Sequence, residues 1–237
     1  MKIEILGVKI DSLTFDECLV VAERLIRENR HSQIVTVNPE FVMSAQKDTR
    51  FREIINSADL AVPDGTGLLW AAKRKGTPLK DRITGVDLTW AICKLAAEKR
   101  FKVFFLGGKK GVAEIAAQKI REKYPELKVV GTYAGSPHDP ATLYLVKRSK
   151  PDILFVAFGA PKQDKFISDL KKITSIPLSM GVGGTFDYIA GTAHYAPKWM
   201  RQIGLEWLFR LITQPRRINR IITATIRFPW AVWRNKK

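Results

Sequence analysis

Residues 61–67 read Ala-Val-Pro-Asp-Gly-Thr-Gly and set one carboxylate, Asp64, between an apolar run at 59–62 and a helical pattern that opens at Leu68. A strand that spills through Pro, Asp and Gly into a helix puts that carboxylate beside the unpaired N–H groups of a helix start. Open α/β sheets hold their ligands at such places. The same residue also reads as a turn or N-cap carboxylate. Four more loops share the address: Thr36-Val37-Asn38-Pro39-Glu40, Gly107-Gly108-Lys109-Lys110-Gly111, Gly159-Ala160-Pro161-Lys162-Gln163 and Gly181-Val182-Gly183-Gly184-Thr185-Phe186-Asp187. Glycine at a strand end lets backbone approach a ligand, and helix starts favour phosphate, so the set points to a nucleotide or another phosphorylated ligand.

Other chemistries lack their residues. No loop has the Gly-Lys-Ser/Thr ending of a Walker A motif, and none is a Gly-x-Gly-x-x-Gly fingerprint. His31, His138 and His194 are far apart, and no Asp-x-Asp is available to clamp a metal on a diphosphate. A nucleophile elbow, Gly-x-Ser-x-Gly, is also missing. Charge on a leaving diphosphate then falls to Arg, Lys and backbone N–H donors.

The elements that must position these loops alternate along the chain. Residues 2–5 and 8–10 pattern as a short hairpin, and 14–29 as an amphipathic helix. Strands are expected at 33–37, 59–62, 102–106, 128–132, 152–158 and 176–182. Helices are expected from Pro39 onward and at 68–75, 85–99, 112–124, 141–149 and 162–172. Strands separated by helices imply an α/β, Rossmann-like fold with a mainly parallel sheet and helices on both faces. Cys18 and Cys93 fall in helical patterns without metal spacing and read as reduced core residues of a cytoplasmic protein. Neither a signal peptide nor a membrane-spanning run is expected.

The chain carries 40 Lys and Arg against 23 Asp and Glu, a formal charge of +17 that favours an anionic partner. Ten of the basic residues lie in 194–237 with Glu206 as the single acid, together with Trp199, Trp207, Trp230 and Trp233. Residues 1–193 are therefore read as the α/β catalytic domain and 194–237 as a basic helical appendage. Arg interleaved with Trp suits an anionic membrane surface; a helix pair packed on the core or on a second subunit is the other reading. Nucleic acid is an alternative anion. It is disfavoured because the charge is concentrated on one appendage and no helix-turn-helix or RRM pattern occurs.

The set Thr36-x-Asn38-x-Glu40, Pro63-Asp64-Gly65-x-Gly67, Arg82-x-Thr84-Gly85-x-Asp87, Gly107-Gly108, Pro161-Lys162-Gln163, Gly183-Gly184-x-Phe186-Asp187 and Gly204-Leu205-Glu206-Trp207-x-x-Arg210 resembles the WecG/TagA/CpsF glycosyltransferases, in order and from the first strand to about Arg220. That family transfers N-acetylmannosamine, or its uronic acid, from a UDP donor to lipid-linked N-acetylglucosamine diphosphate. In its TagA branch the product is the linkage unit of wall teichoic acid. The resemblance implies inverting, metal-independent transfer to the 4-hydroxyl of undecaprenyl-diphosphate-linked N-acetylglucosamine, with no cofactor, by a protein peripheral on the inner face of the membrane.

It also implies roles. Asp64 is the general base, Arg82 and Gln163 meet the donor diphosphate or sugar, and Thr36 and Asn38 orient hydroxyls; a salt bridge from Arg82 to Asp81 or Asp87, and helix capping by Gln163, Thr36 and Asn38, are the structural alternatives. Gly65, Gly107, Gly108, Gly183 and Gly184 line the substrate, and Asp187 accepts from the uracil. Separately, Arg210, Arg217 and Arg220 in the tail are spaced to share a helix face, which is expected to cover the site and neutralise the departing UDP. Two departures stand out. Gly135-Ser136-Pro137 replaces the Gly-Tyr-Phe of relatives, leaving Tyr133 as the stacking candidate, and His194-Tyr195 replaces an Arg before Ala196-Pro197.

Overall fold

The computed structural model describes residues 1–197, 200 and 206–235, apart from the side chains of Glu206, Arg210 and Arg216. The hairpin pairs β1 (Lys2–Ile5) with β2 (Val8–Asp11) antiparallel. Helix α1 (Phe15–Glu28) follows, closed by a capping box in which Thr14 accepts from Glu17 N–H and the Glu17 carboxylate accepts from Thr14 N–H. The sheet strands are β3 (Ser32–Val37), β4 (Leu60–Pro63), β5 (Lys102–Gly107), β6 (Lys128–Tyr133), β7 (Ile153–Ala157) and β8 (Leu178–Gly181). Between them lie α2 (Pro39–Ala45), α3 (Thr49–Ser57), α4 (Thr66–Arg74), α5 (Gly85–Lys99), α6 (Val112–Lys123), α7 (Pro140–Ser149) and α8 (Lys162–Leu170), and α9 (Thr185–Ala190) follows β8.

The six strands run in the order β4-β3-β8-β7-β5-β6, every pair parallel. The chain builds one edge with β3 and β4, crosses to β5 and β6, and then fills the centre with β7 and β8. Strands β3 and β8 are neighbours reached from opposite halves, so the crevice over their C-terminal ends is the switch point of the sheet.

Both faces are covered, which is why the strands read as continuous apolar runs. On one face Ile34, Phe105, Phe155 and Met180 pack beneath α1, α5, α6 and α9. On the other, Val35 and Val37 pack with the hairpin and α2 to α4, while Phe104, Leu106, Leu154 and Val156 meet α7 and α8. Phe105 stacks on Phe155 and Phe186 at 5.6 and 5.4 Å, which ties the central strands to α9. Truncating such a ring costs about 3–5 kcal/mol.

Three boundaries differ from expectation for local reasons. The stretch after Pro39 is two helices, because Asp48 accepts from Phe51 N–H and caps a second one. The last strand starts after Pro177, whose ring nitrogen has no hydrogen to give to a ladder. The short helix α9 is an addition to the expected elements.

The tail contains α10 (Glu206–Thr213), a 3₁₀ turn (Pro215–Arg217), α11 (Ile218–Ile222), a π-helical turn (Thr223–Arg227) and α12 (Phe228–Arg234). Its end belongs to the core. Phe228 is 0% exposed, and it packs with Val232 into the same cluster as Val37, Phe41 and Leu68. Among the described residues no helix is long and apolar enough to cross a membrane.

Candidate active site

Asp64 stands just past the end of β4, and ladder-like bonds fix it there. Its N–H donates to Val37 O at 2.6 Å, and Ile83 N–H donates to Pro63 O at 2.9 Å. The second bond draws the 82–85 segment alongside the strand end, so that Gly85 N–H donates to Asp64 Oδ2 at 3.2 Å. A Cβ on Gly85 would lie 3.5 Å from Thr36 Oγ1, 3.5 Å from Thr185 Oγ1 and 3.7 Å from Asp64 Oδ2. Three oxygens, from the ends of β3 and β4 and the start of α9, thus converge on one glycine.

Around this centre the structure brings together most of the expected residues. Thr36, Asn38, Asp64, Arg82, Gln163, Gly183 and Gly184 all line one cleft at the C-terminal edge, with Arg217 and Arg220 on its tail side. Asn38 uses its Oδ1 to cap α2, accepting from Phe41 N–H at 3.0 Å. Gly65 is the N-cap of α4, with a φ of 127°, and is outside the cleft lining.

Gln163 is 2% exposed, and its Oε1 accepts from both Gly159 N–H (3.1 Å) and Gly183 N–H (2.9 Å). It staples the β7 and β8 loops together, so its carbonyl faces backbone rather than a substrate. Arg217 Nη2 approaches the place a Cβ on Gly184 would take, at 3.7 Å. Arg220 forms an ion pair with Glu40 in the first turn of α2. The side chain of Arg210 lies outside the described residues, as does Trp199.

Other expected residues are placed elsewhere. Gly107 lies under the Phe158 ring, Gly108 against Phe186, and Tyr133 donates its hydroxyl to Asp139 at 2.6 Å, a bond that raises the phenol's pKa. None of the three lines the cleft. The strand order explains this: β6 is four strands from β3, about 19 Å at ~4.8 Å per step. Asp187 is also outside the lining, and its Oδ1 accepts from the Thr192 hydroxyl at 3.3 Å.

The cleft adds residues that sequence reasoning did not single out. Thr185 and Gly85 belong to motifs already noted, but their convergence on Asp64 is a property of the fold. Tyr188 and Tyr195 stack at 4.8 Å with planes 34° apart and form an aromatic lip. Thr84 caps α5 and donates its hydroxyl to Asp87 at 2.6 Å. Among the described residues no group of three His, Cys, Asp or Glu side chains is placed to hold a metal ion.

A carboxylate held by a backbone N–H, in a cleft that hydroxyl and arginine side chains also line, suits a reaction in which a hydroxyl attacks and an anion departs. Comparison with known proteins decides which. The family model described as glycosyl transferase WecG/TagA/CpsF matches residues 3–237.

The chain belongs to the WecG/TagA/CpsF glycosyltransferase family.

One relative, from Bacillus subtilis (strain 168), is 35% identical over 191 residues, covering 80% of this chain and 75% of the relative. One from Bacillus spizizenii (strain W23) is 33% identical over 197 residues, 83% of this chain and 77% of its own. One from Staphylococcus aureus (strain NCTC 8325) is 32% identical over 223 residues, 93% of this chain and 88% of its own. All three are named N-acetylglucosaminyldiphosphoundecaprenol N-acetyl-beta-D-mannosaminyltransferase. The cleft is accordingly the candidate active site of a WecG/TagA/CpsF glycosyltransferase, with Asp64 at its centre.

Proposed function

We propose that this glycosyltransferase moves N-acetylmannosamine from UDP-N-acetylmannosamine to the 4-hydroxyl of N-acetylglucosamine-diphospho-undecaprenol, with inversion and without a metal ion. The observation that carries the reading is the convergence of Asp64, Thr36 and Thr185 on Gly85 in a cleft that Arg82, Arg217 and Arg220 also line. The names of the relatives supply the sugars.

In this reaction the acceptor oxygen attacks the anomeric carbon from the face opposite the diphosphate. The new C–O bond forms as the bond to UDP breaks, and the hydroxyl proton passes to Asp64. The Gly85 N–H holds Asp64 Oδ2 in place. An ordinary carboxylate is a weak base, so the proton moves late, once the sugar has oxocarbenium character and the hydroxyl has become acidic. The negative charge that builds on UDP is met by the guanidinium groups, which supply the neutralisation that a divalent cation provides elsewhere.

The cleft encloses about 160 Å³, below the roughly 300–1,000 Å³ of sites that surround a whole small-molecule ligand. Tyr195, Arg217 and Arg220 form part of its wall, so the tail side shifts outward to admit a nucleotide sugar. The tail also exposes Trp207, Ile212, Ile218, Ile226, Trp230 and Trp233. With Arg227 and Arg234 among them, this surface suits peripheral binding to the anionic inner face of the cell membrane, where the lipid acceptor resides. Self-association through the same surface is the competing use when lipid is absent.

A donor panel tests the reading: UDP-N-acetylmannosamine, its uronic acid and UDP-N-acetylglucosamine, each with the lipid-diphosphate acceptor in vesicles and excess EDTA. Turnover with the first alone is expected. Preference for the uronic acid, or loss of turnover in EDTA, overturns the corresponding part.

A further inference from the structure

Gln163 commits its carbonyl to two loops, and something must keep the amide the right way round. An amide has one accepting end and one donating end. With Oε1 taken by Gly159 and Gly183, Nε2 is the end left to donate.

The next residue, Asp164, is 0% exposed, and neither carboxyl oxygen has a hydrogen-bond partner among the described residues. Gly181 shows where the two side chains meet. A Cβ there would lie 2.6 Å from Gln163 Nε2 and 2.9 Å from Asp164 Oδ1. The missing side chain of Gly181 is therefore the space that the amide nitrogen and the carboxyl oxygen share.

Among the described residues no opposite charge compensates this carboxyl. Strands β3, β7 and β8, on which α8 packs, carry no titratable side chain. From the α3 side, Arg50 is paired with Asp169 and the cap residue Asp48 with Lys165. Arg52 lies at the hairpin turn near Gly7, and Glu53 and Lys162 are exposed. Burial pushes the Asp164 carboxyl up to about 7, against smaller opposing effects of its own backbone and the Gln163 side chain. Isolated buried carboxyls are costly, and they concentrate near functional sites.

We propose that Asp164 is a positioning residue: its carboxyl shares with Gln163 Nε2 the space left by the missing Gly181 side chain, attracts the donating end of the amide electrostatically, keeps Oε1 turned toward the Gly159 and Gly183 N–H groups, and thereby fixes the two loops that wall the cleft. The activity readout below rests on the transferase reading, whereas the spectroscopic readout does not.

The test compares the full chain with Asp164→Asn and Asp164→Leu. Backbone amide resonances and hydrogen exchange of Gly159 and Gly183 are followed from pH 5 to 9 without substrate. Turnover of UDP-N-acetylmannosamine is measured in parallel. Asn keeps a polar oxygen and no charge, so both amides stay at their wild-type positions and turnover stays within a few-fold. Leu removes that oxygen, so both amides shift and exchange faster, and kcat falls by up to about 10²-fold, as for a misplacement near 1 Å. In the wild type both amides titrate with a midpoint near 7, and in the Asn variant they do not.

A folded Leu variant with unmoved amides overturns the proposal. If Leu does not fold, a wild type without that titration, or an Asn variant that retains it, overturns it equally. A wild type silent in turnover counts against the transferase reading alone, because the amide comparison still decides Asp164.

Discussion

The backbone N–H of Gly85 donates to Asp64 Oδ2 at 3.2 Å across 21 residues of sequence, and this bond gives the carboxylate its place. It arises because Ile83 continues the β4 edge through Pro63 O, which brings the start of α5 to the end of the strand. The base candidate is thus held by backbone, while its surroundings come from β3, β8 and the tail.

The tail end is structural. Phe228 is fully buried, and a Cβ on Gly67 would stand 2.9 Å from Pro39 Cγ and 3.7 Å from the Phe228 ring. Phe228→Ala is expected to cost about 3–5 kcal/mol in urea unfolding. Gly67→Ala is expected to destabilise through the same contact. A Phe228→Ala protein with wild-type stability would show that 228–234 is not part of the core.

Arg220 separates stability from catalysis. Its pair with Glu40 is half exposed on the arginine side, so it contributes below about 1 kcal/mol. Glu40→Gln and Arg220→Ala should therefore give nearly equal, small shifts in Tm. Only Arg220→Ala should lower kcat, because only it removes a cation from the departing diphosphate. Equal kcat for the two variants contradicts that role.

Asp164 predicts a pH dependence of stability with a definite sign. Its carboxyl titrates near 7 when folded, against an ordinary 3.8, so the folded state holds a proton that the unfolded chain releases. Its contribution is complete below about pH 4, and it is lost as pH rises to about 7, at no more than ~1.4 kcal/mol per pH unit. Asp164→Asn lacks this loss. Urea melts at pH 5 and pH 8 should show the Asn variant gaining on the wild type at the higher pH; parallel curves would contradict the assignment.

Membrane binding should depend on both parts of the exposed tail. Trp230→Ala with Trp233→Ala should weaken sedimentation with anionic vesicles. Arg227→Ala should weaken it by about fivefold, near 1 kcal/mol per basic residue, and leave neutral vesicles unaffected. The Arg234 guanidinium lies 5.3 Å over the Trp230 ring, so these two residues should not behave additively.

The parallel sheet was legible because both faces are covered, and runs such as Ile34-Val35 and Phe104-Phe105 announce buried strands. The loops at the C-terminal edge were legible from Gly, Pro and Asp at strand ends. Strand order was not, because a βα repeat does not say where each strand inserts. Gly107 and Tyr133 therefore seemed to share a site with Asp64, although β5 and β6 lie at the far side of the sheet. Gln163 was legible as a residue of the site. Its use as a staple for Gly159 and Gly183 depends on β7 and β8 being neighbours. Phe228 sits among the Trp and Arg of the tail, and nothing in that pattern marks it as the residue that packs beside a glycine of α4.

The most direct test of the central claim is Asp64→Asn, assayed for turnover of UDP-N-acetylmannosamine on vesicles carrying the lipid-diphosphate acceptor, with UDP affinity measured by calorimetry on the same preparation. Loss of a general base predicts a fall in kcat of about 10²–10⁴-fold with UDP affinity nearly unchanged. Turnover within a few-fold of wild type would contradict the assignment of Asp64 as the base.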